Sequence, residues 1–212
     1  MSSLENFVQY GRKVIGAGAN YHSFVKYTGR SLPTEPEIFL KAPSAYITEG
    51  NKIVIPKGFT NVNEEIELGV IIGKKCKHVS EAEAMNYVGG YCTVLDMAAI
   101  CQIKPNKSWA IAKAFDTACP VSKFIPKEKI PDPNNVDLWL NVNGEQWQKD
   151  NTKNLVFNVP QLISYISKYF TLEVGDLILI GTPAGVGAVK KDDVIEAGLK
   201  GIVTIKFEVD EE

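Results

Sequence analysis

Apolar residues along this chain recur in short runs, many of them alternating with polar positions, and not at the three-and-four spacing of long amphipathic helices. Residues 13–16, 38–41, 52–55, 67–72, 88–95, 137–142, 176–180 and 202–209 are rich in Val, Ile, Leu and Tyr and are bounded by Gly, Pro or Asn, so each predicts a strand. Two stretches carry helical spacing instead. Residues 80–85 open with a Ser80-x-x-Glu83 capping-box pattern, and residues 160–169 place Leu162, Ile163, Ile166 and Phe170 along one side. Asn143-Gly144 sits between LWLNV and EQWQK, where a tight hairpin turn needs positive φ at both central positions. The pattern as a whole predicts a mostly β fold with a few short helices.

Composition narrows the class. With 212 residues, 45% hydrophobic and 23% charged, the chain can bury a full core, and one domain over residues 1–212 is expected. A formal net charge of −2 with dispersed Lys and Arg argues against a nucleic-acid partner, because phosphate neutralisation needs clustered cations. No apolar run approaches the roughly 18 residues of a membrane span, so no membrane role is expected. The opening residues lack the apolar core of a secretory signal, and with Glu5 and few arginines they make a poor mitochondrial presequence. Cys76, Cys92, Cys101 and Cys119 show no chelating pairs and read as reduced thiols, and with only His22 and His78 as histidines a zinc site is not expected. GTPAGVG lacks the Gly-Lys-Ser/Thr ending of a phosphate loop.

The chemistry lies in NEEIELGVIIG and GGYCTVLDM. Residues two apart on a strand share a face, so Glu65 and Glu67 present two carboxylates side by side. A hard divalent cation such as Mg²⁺ or Mn²⁺ would relieve their repulsion, with Asp96 supplying a third oxygen. The competing reading of a Glu-x-Glu pair is an ordinary solvated strand face. Against it, Glu67 runs straight into an apolar segment and Asp96 closes another, where an unpaired acid is costly.

The run Glu65-Ile66-Glu67-Leu68-Gly69-Val70, then Tyr87-Val88-Gly89-Gly90-Tyr91 leading to Leu95-Asp96-Met97, Ala112-Lys113-Ala114-Phe115-Asp116, Cys119-Pro120, Gly175-Asp176 and the segment Gly181-Thr182-Pro183-Ala184-Gly185-Val186-Gly187 resembles the fumarylacetoacetate hydrolase superfamily. The likeness is nearest to its acylpyruvase and oxaloacetate decarboxylase branch and spans nearly the whole chain in order. It implies a mixed β-sandwich roll, a homodimer, and Mg²⁺ or Mn²⁺ held by two glutamates and an aspartate, which map onto Glu65, Glu67 and Asp96. By the same resemblance Lys113 faces a bound small 2-oxo acid and Thr182 contacts its carboxylate. Read without it, Lys113 is a snorkelling residue at a strand edge and GTPAGVG only a turn. Together the opening residues and the resemblance leave the cytoplasm or the mitochondrion as the expected compartment.

The departures from the family pattern bear on activity. Family members carry an Arg before the Asn-Tyr pair, then a His and a Glu that handle the substrate proton. Here these positions hold Ala19, Phe24 and Tyr27. After Asp96 the chain reads Met97-Ala98-Ala99-Ile100-Cys101-Gln102 instead of a charged continuation, and the stretch up to Trp109 is shortened. Phe has no proton to exchange, and Tyr titrates near 10. His22 and Cys101 are the nearest replacements for the lost base. The expected function is therefore a metal-dependent hydrolase or lyase on small 2-oxo acids, acting by acylpyruvate hydrolysis, oxaloacetate decarboxylation or tautomerisation, with weakened or altered activity. The alternative is an inactive family member kept for binding, regulation or structure.

Overall fold

The computed structural model of the protein describes residues 4–103 and 108–212. All of the expected strands form. The largest sheet runs in the order Glu37–Lys41, Val14–Gly18, Leu177–Leu179, Ile66–Ile72, Val88–Leu95, Cys119–Val121, Tyr46–Thr48. It is mixed: Val14–Gly18 lies parallel to Leu177–Leu179, and Tyr46–Thr48 parallel to Cys119–Val121, while the other neighbours in this order are antiparallel. A second sheet orders Glu145–Asn151, Asp137–Val142, Val194–Leu199, Val203–Glu211 and Ile53–Ile55. Asp137–Val142 and Val194–Leu199 contact Ile66–Ile72, and Val194–Leu199 and Val203–Glu211 contact Val88–Leu95, so the two sheets face each other as a sandwich.

Ile66–Ile72 explains why the core forms here. Every residue of this strand is buried, including Glu67, because it is hydrogen-bonded on both edges and packed between layers. Two-sided burial selects a continuous apolar run over strict alternation. The Asn143-Gly144 turn forms as expected, with φ of 51° and 83°, and joins Asp137–Val142 to Glu145–Asn151. Gly175-Asp176 proves structural: the buried Asp176 carboxylate accepts backbone N–H groups from Arg12, Lys13 and Glu173 and pairs with the Lys13 ammonium, tying the entrance of Val14–Gly18 to its parallel neighbour.

The helices differ in detail from expectation. Ser80 does precede a helix, Glu81–Ala84, but its hydroxyl donates to the Glu83 carboxylate at 2.7 Å and accepts nothing from the backbone, so the reciprocal capping box does not form there. It forms instead at Val159–Tyr169, where the Asn158 side chain accepts from Gln161 N at 3.0 Å and Gln161 Oε1 accepts from Asn158 N at 2.9 Å. Of the short helices that went unread in the pattern, two bear on function: His22–Thr28 and Trp109–Ala114. They cover one end of the large sheet and frame the site described next. No helix among the described residues is long and apolar enough to cross a membrane.

Candidate metal centre

Strand register brings the three acids together. Ile66 pairs with Leu95 and Glu67 with Val94, and the ladder continues past the strand ends through Asp96 N donating to Glu65 O at 2.8 Å. One oxygen from each of Glu65, Glu67 and Asp96 lies within 4.8 Å of the others, and all three residues are buried. The solvated-face reading of Glu-x-Glu is thereby excluded.

Two lysines close on this cluster. The helix Trp109–Ala114 is started by Ser108, whose hydroxyl accepts from Ile111 N, and its last turn turns Lys113 inward. Lys113 is no strand-edge residue: it is buried, with Nζ donating to Glu65 Oε2 at 2.8 Å and Asp96 Oδ2 at 2.6 Å, over the Phe39 ring at 4.6 Å. Lys41, at the end of Glu37–Lys41, has a fully buried side chain that donates to Asp96 Oδ1 at 2.6 Å and Met97 O at 3.1 Å. Sequence reasoning missed Lys41, because a lysine ending a strand looks like a solvated edge.

The electrostatics follow from burial against pairing. Burial and the neighbouring charges of Asp96 and Glu65 push Glu67 well above the usual carboxylate range, and one backbone N–H from Gly181 only partly offsets this. Burial raises Glu65 to about 7 against the pull of Lys113. Burial also pushes Asp96 upward, but Lys113 and Lys41 outweigh it and hold its carboxyl below the ordinary value. Desolvation opposes the Lys113 charge, yet Asp96 and Glu65 prevail and raise it. Fully ionised, the three acids would outnumber the two ammoniums by one, and the upward push on Glu67 and Glu65 reflects that unmatched charge in a desolvated cluster. An all-oxygen donor set with surplus negative charge, opening on a cavity, fits a hard divalent cation such as Mg²⁺ or Mn²⁺. Glu64, next in the chain, is a further buried carboxyl that burial and the Glu65 charge push well up.

The cavity beside the cluster measures about 180 Å³. Glu65, Glu67, Lys113 and Thr182 line its charged side. Gly181, at φ 109°, donates its N–H to Glu67 Oε2, and a Cβ there would meet the Asn20 Cβ at 2.8 Å. Thr182 Oγ1 accepts from Gln148 Nε2 at 2.9 Å, which leaves its own O–H to donate toward a ligand. Gln148 is completely buried, also accepts from Ile66 N at 2.9 Å and donates to Pro183 O at 2.8 Å, and so clamps the GTPAGVG segment onto the acidic strand. It too went unread, because EQWQK looks like a solvent-facing hairpin arm.

The opposite wall comes from Ala19 and the helix His22–Thr28. Ala19, in left-handed backbone at φ 51°, presents only a methyl group, and Phe24 lines the cavity with an apolar ring. Ser23 accepts from Ala184 N and donates to Asp150 Oδ2, docking this helix on the GTPAGVG segment. Tyr27 is 59% exposed, with its hydroxyl directed to Val186 O at 3.4 Å. His22 is exposed and Cys101 Sγ accepts from Thr60 N at 3.4 Å, and neither lines the cavity, so the structure brings no replacement base from either position. The shortened stretch before Trp109 includes residues 104–107, which lie outside the described residues.

Comparison with known proteins finds relatives over nearly the whole chain. The family model described as Fumarylacetoacetate (FAA) hydrolase C-terminal matches residues 13–210. The mitochondrial oxaloacetate tautomerase FAHD1 of Bos taurus is 47% identical over 98% of this chain and 96% of its own length. The mitochondrial oxaloacetate decarboxylase of Dictyostelium discoideum is 46% identical over 97% of each. Among solved structures, fumarylpyruvate hydrolase from Pseudomonas aeruginosa in complex with Mn²⁺ and pyruvate superposes with a TM-score of 0.88 at 29% identity, covering 95% of this chain and 91% of that one. The 5-carboxymethyl-2-hydroxymuconate delta-isomerase from Mycobacterium smegmatis superposes at 0.87 with 35% identity, covering 95% and 80%.

Proposed function

The chain belongs to the fumarylacetoacetate hydrolase family, and from that premise we propose that it is a metal-dependent enzyme of small 2-oxo acids in which tautomerisation or decarboxylation of oxaloacetate outruns acylpyruvate hydrolysis. The observation that carries this is the buried convergence of Glu65, Glu67 and Asp96 with Lys113 beside a cavity whose far wall holds Ala19, Phe24 and Arg30 but no side chain suited to act as a general base. Glu65, Glu67 and Asp96 would hold Mg²⁺ or Mn²⁺, which when bound chelates a 2-oxo acid and stabilises negative charge on its enolate oxygen.

The protein's own residues do the rest. The Thr182 hydroxyl, polarised by Gln148, donates to the substrate carboxylate. Lys113 stays charged, sets the orientation of Glu65 and Asp96, and adds a cation beside the developing enolate. Phe39 and Phe24 line the cavity with apolar rings and lower the local dielectric, which strengthens each of these contacts. Hydrolysis needs a base to activate water, and the wall where family members place it offers Phe24 and Ala19. Decarboxylation releases CO₂ without abstraction of a C–H proton, and keto–enol exchange can pass its proton between C3 and the enol oxygen through solvent water, so both survive loss of the base better than hydrolysis does.

Phe24 also favours a second reading, an inactive member that retains the fold and the cluster. The discriminating experiment measures three rates on purified protein with Mg²⁺ or Mn²⁺: oxaloacetate enol–keto conversion, oxaloacetate decarboxylation and acetylpyruvate hydrolysis, each against the free metal. The first or second exceeding the metal alone while hydrolysis lags supports the proposal; three rates equal to free metal, with oxalate still bound, establish the inactive reading. A homodimer and, after the two curated relatives, a mitochondrial location complete the proposal.

A further inference from the structure

The cavity wall where Ala19 stands in place of the family arginine carries another cation, Arg30, three residues beyond Tyr27. Arg30 lines the 180 Å³ cavity together with Ala19 and Phe24, and it also lines a larger outer cavity of about 540 Å³. The two cavities share Gly18, Arg30, Phe39 and Trp109, so Arg30 stands where the inner chamber meets the outer one.

Its position is built by the backbone. The helix His22–Thr28 ends at Gly29, left-handed at φ 69°, with Gly29 N donating to Lys26 O and Arg30 N to Val25 O. This Schellman-type ending needs a glycine at Gly29 and reverses the chain, which fixes the Arg30 backbone over the cavity. The guanidinium is engaged by Glu37 alone among the described residues. Both bonds leave from Nη2, at 2.8 and 2.6 Å, so Nε and Nη1 remain for another planar acceptor. Arg30 and Glu37 are each more than two-fifths exposed, and an exposed ion pair of this kind holds together weakly. An incoming carboxylate can share or displace Glu37 at little cost.

We propose that Arg30 is a specificity-determining residue that binds the distal carboxylate of a short 2-oxo dicarboxylate whose 2-oxo end lies at the Glu65, Glu67 and Asp96 cluster. This rests on the 2-oxo acid reading given above and names the residue that recognises the second carboxylate. A planar guanidinium matches a carboxylate in a two-bond fork. The inner cavity is smaller than the roughly 300–1,000 Å³ of sites for drug-sized ligands, which suits a substrate of few carbons. Ala19 and Ile100, two uncharged residues of the same cavity, offer the distal carboxylate nothing.

The test is calorimetric binding to Mn²⁺-loaded wild type, Arg30→Met, Arg30→Lys and Glu37→Gln, using oxalate, pyruvate and 3,3-difluoro-oxaloacetate, which cannot enolise at C3 and whose loss of CO₂ is checked before and after each titration. Arg30→Met is expected to weaken the difluoro diacid by about tenfold or more, the size of one charge-assisted contact of roughly 1.4 kcal/mol. Oxalate and pyruvate, which lack the distal group, are expected to bind it as they bind wild type. Arg30→Lys should recover part of the loss, and Glu37→Gln should hold or tighten the diacid, since it removes the competing carboxylate. Equal weakening of all three ligands, no change in the diacid, or a loss in Glu37→Gln matching that in Arg30→Met would overturn the assignment of Arg30 while leaving the 2-oxo acid reading in place. Wild type that binds none of the three overturns both.

Discussion

The two sides of the cavity are held by different forces. Its floor is three acids and two lysines locked into the core sheet: Asp96 accepts from Lys41 and Lys113 at once, Lys113 also reaches Glu65, and the side chain of Lys41 is wholly out of water. Its roof is one short helix, His22–Thr28, and the turns at either end, with Tyr27 and His22 facing solvent and Phe24 facing in. Removing Asp96 or either lysine strands buried charges, whereas changing the roof costs little. Folding alone would therefore preserve Asp96, Lys41 and Lys113, and which reaction is favoured is decided by the roof.

The largest effect separating the two is on stability. Asp96→Ala leaves two buried ammoniums without their shared partner, a loss of about 3–5 kcal/mol, and calorimetry should show Tm falling by roughly 6–20 °C for a chain of this size. A fall of only a degree or two would mean that the floor is not interlocked. Next comes the roof: Phe24→His with Tyr27→Glu should raise acetylpyruvate hydrolysis by about 100-fold or more, the lower range of general-base assistance, while enol–keto conversion of oxaloacetate changes far less. Equal gains in both reactions would break the division of labour.

Gln148→Ala probes the joint between acidic strand and GTPAGVG segment. It leaves Ile66 N without its acceptor and Thr182 without its donor, costing about 1–3 kcal/mol, and it should raise KM for 2-oxo acids more than it lowers kcat. The smallest effect is expected outside both faces. Asn158→Ala removes the cap of Val159–Tyr169 and should cost about 1 kcal/mol in thermal unfolding with unchanged turnover.

The floor was more legible than the roof, for a physical reason. Strands that build it are buried on both sides, so Ile66–Ile72 and Val88–Leu95 announce themselves as apolar runs and an acid inside them stands out. Lys41 and Gln148 stayed hidden because their partners are far along the chain, at Asp96 and at Ile66, Thr182 and Pro183, and nothing local marks them as buried. Trp109–Ala114 escaped because Trp109 and Ile111 are both more than half exposed, which erases the amphipathic signal. Val194–Leu199 escaped as well, because VIEAGL does not alternate apolar with polar residues even though burial alternates over its first four positions. The substitutions at Ala19, Phe24 and Tyr27 were visible by resemblance, but only the structure distinguishes Phe24 in the cavity from Tyr27 at the surface.

The most direct measurement is the rate of oxaloacetate enol–keto conversion with Mg²⁺ or Mn²⁺ for wild type and for Glu67→Ala, chosen because Glu67 pairs with neither lysine and its loss strands no buried ammonium. A wild-type rate well above free metal that collapses to the metal-only rate in a still-folded Glu67→Ala is the expected result. A wild-type rate no greater than free metal, or one that Glu67→Ala leaves intact, would contradict a catalytic metal centre at this cluster.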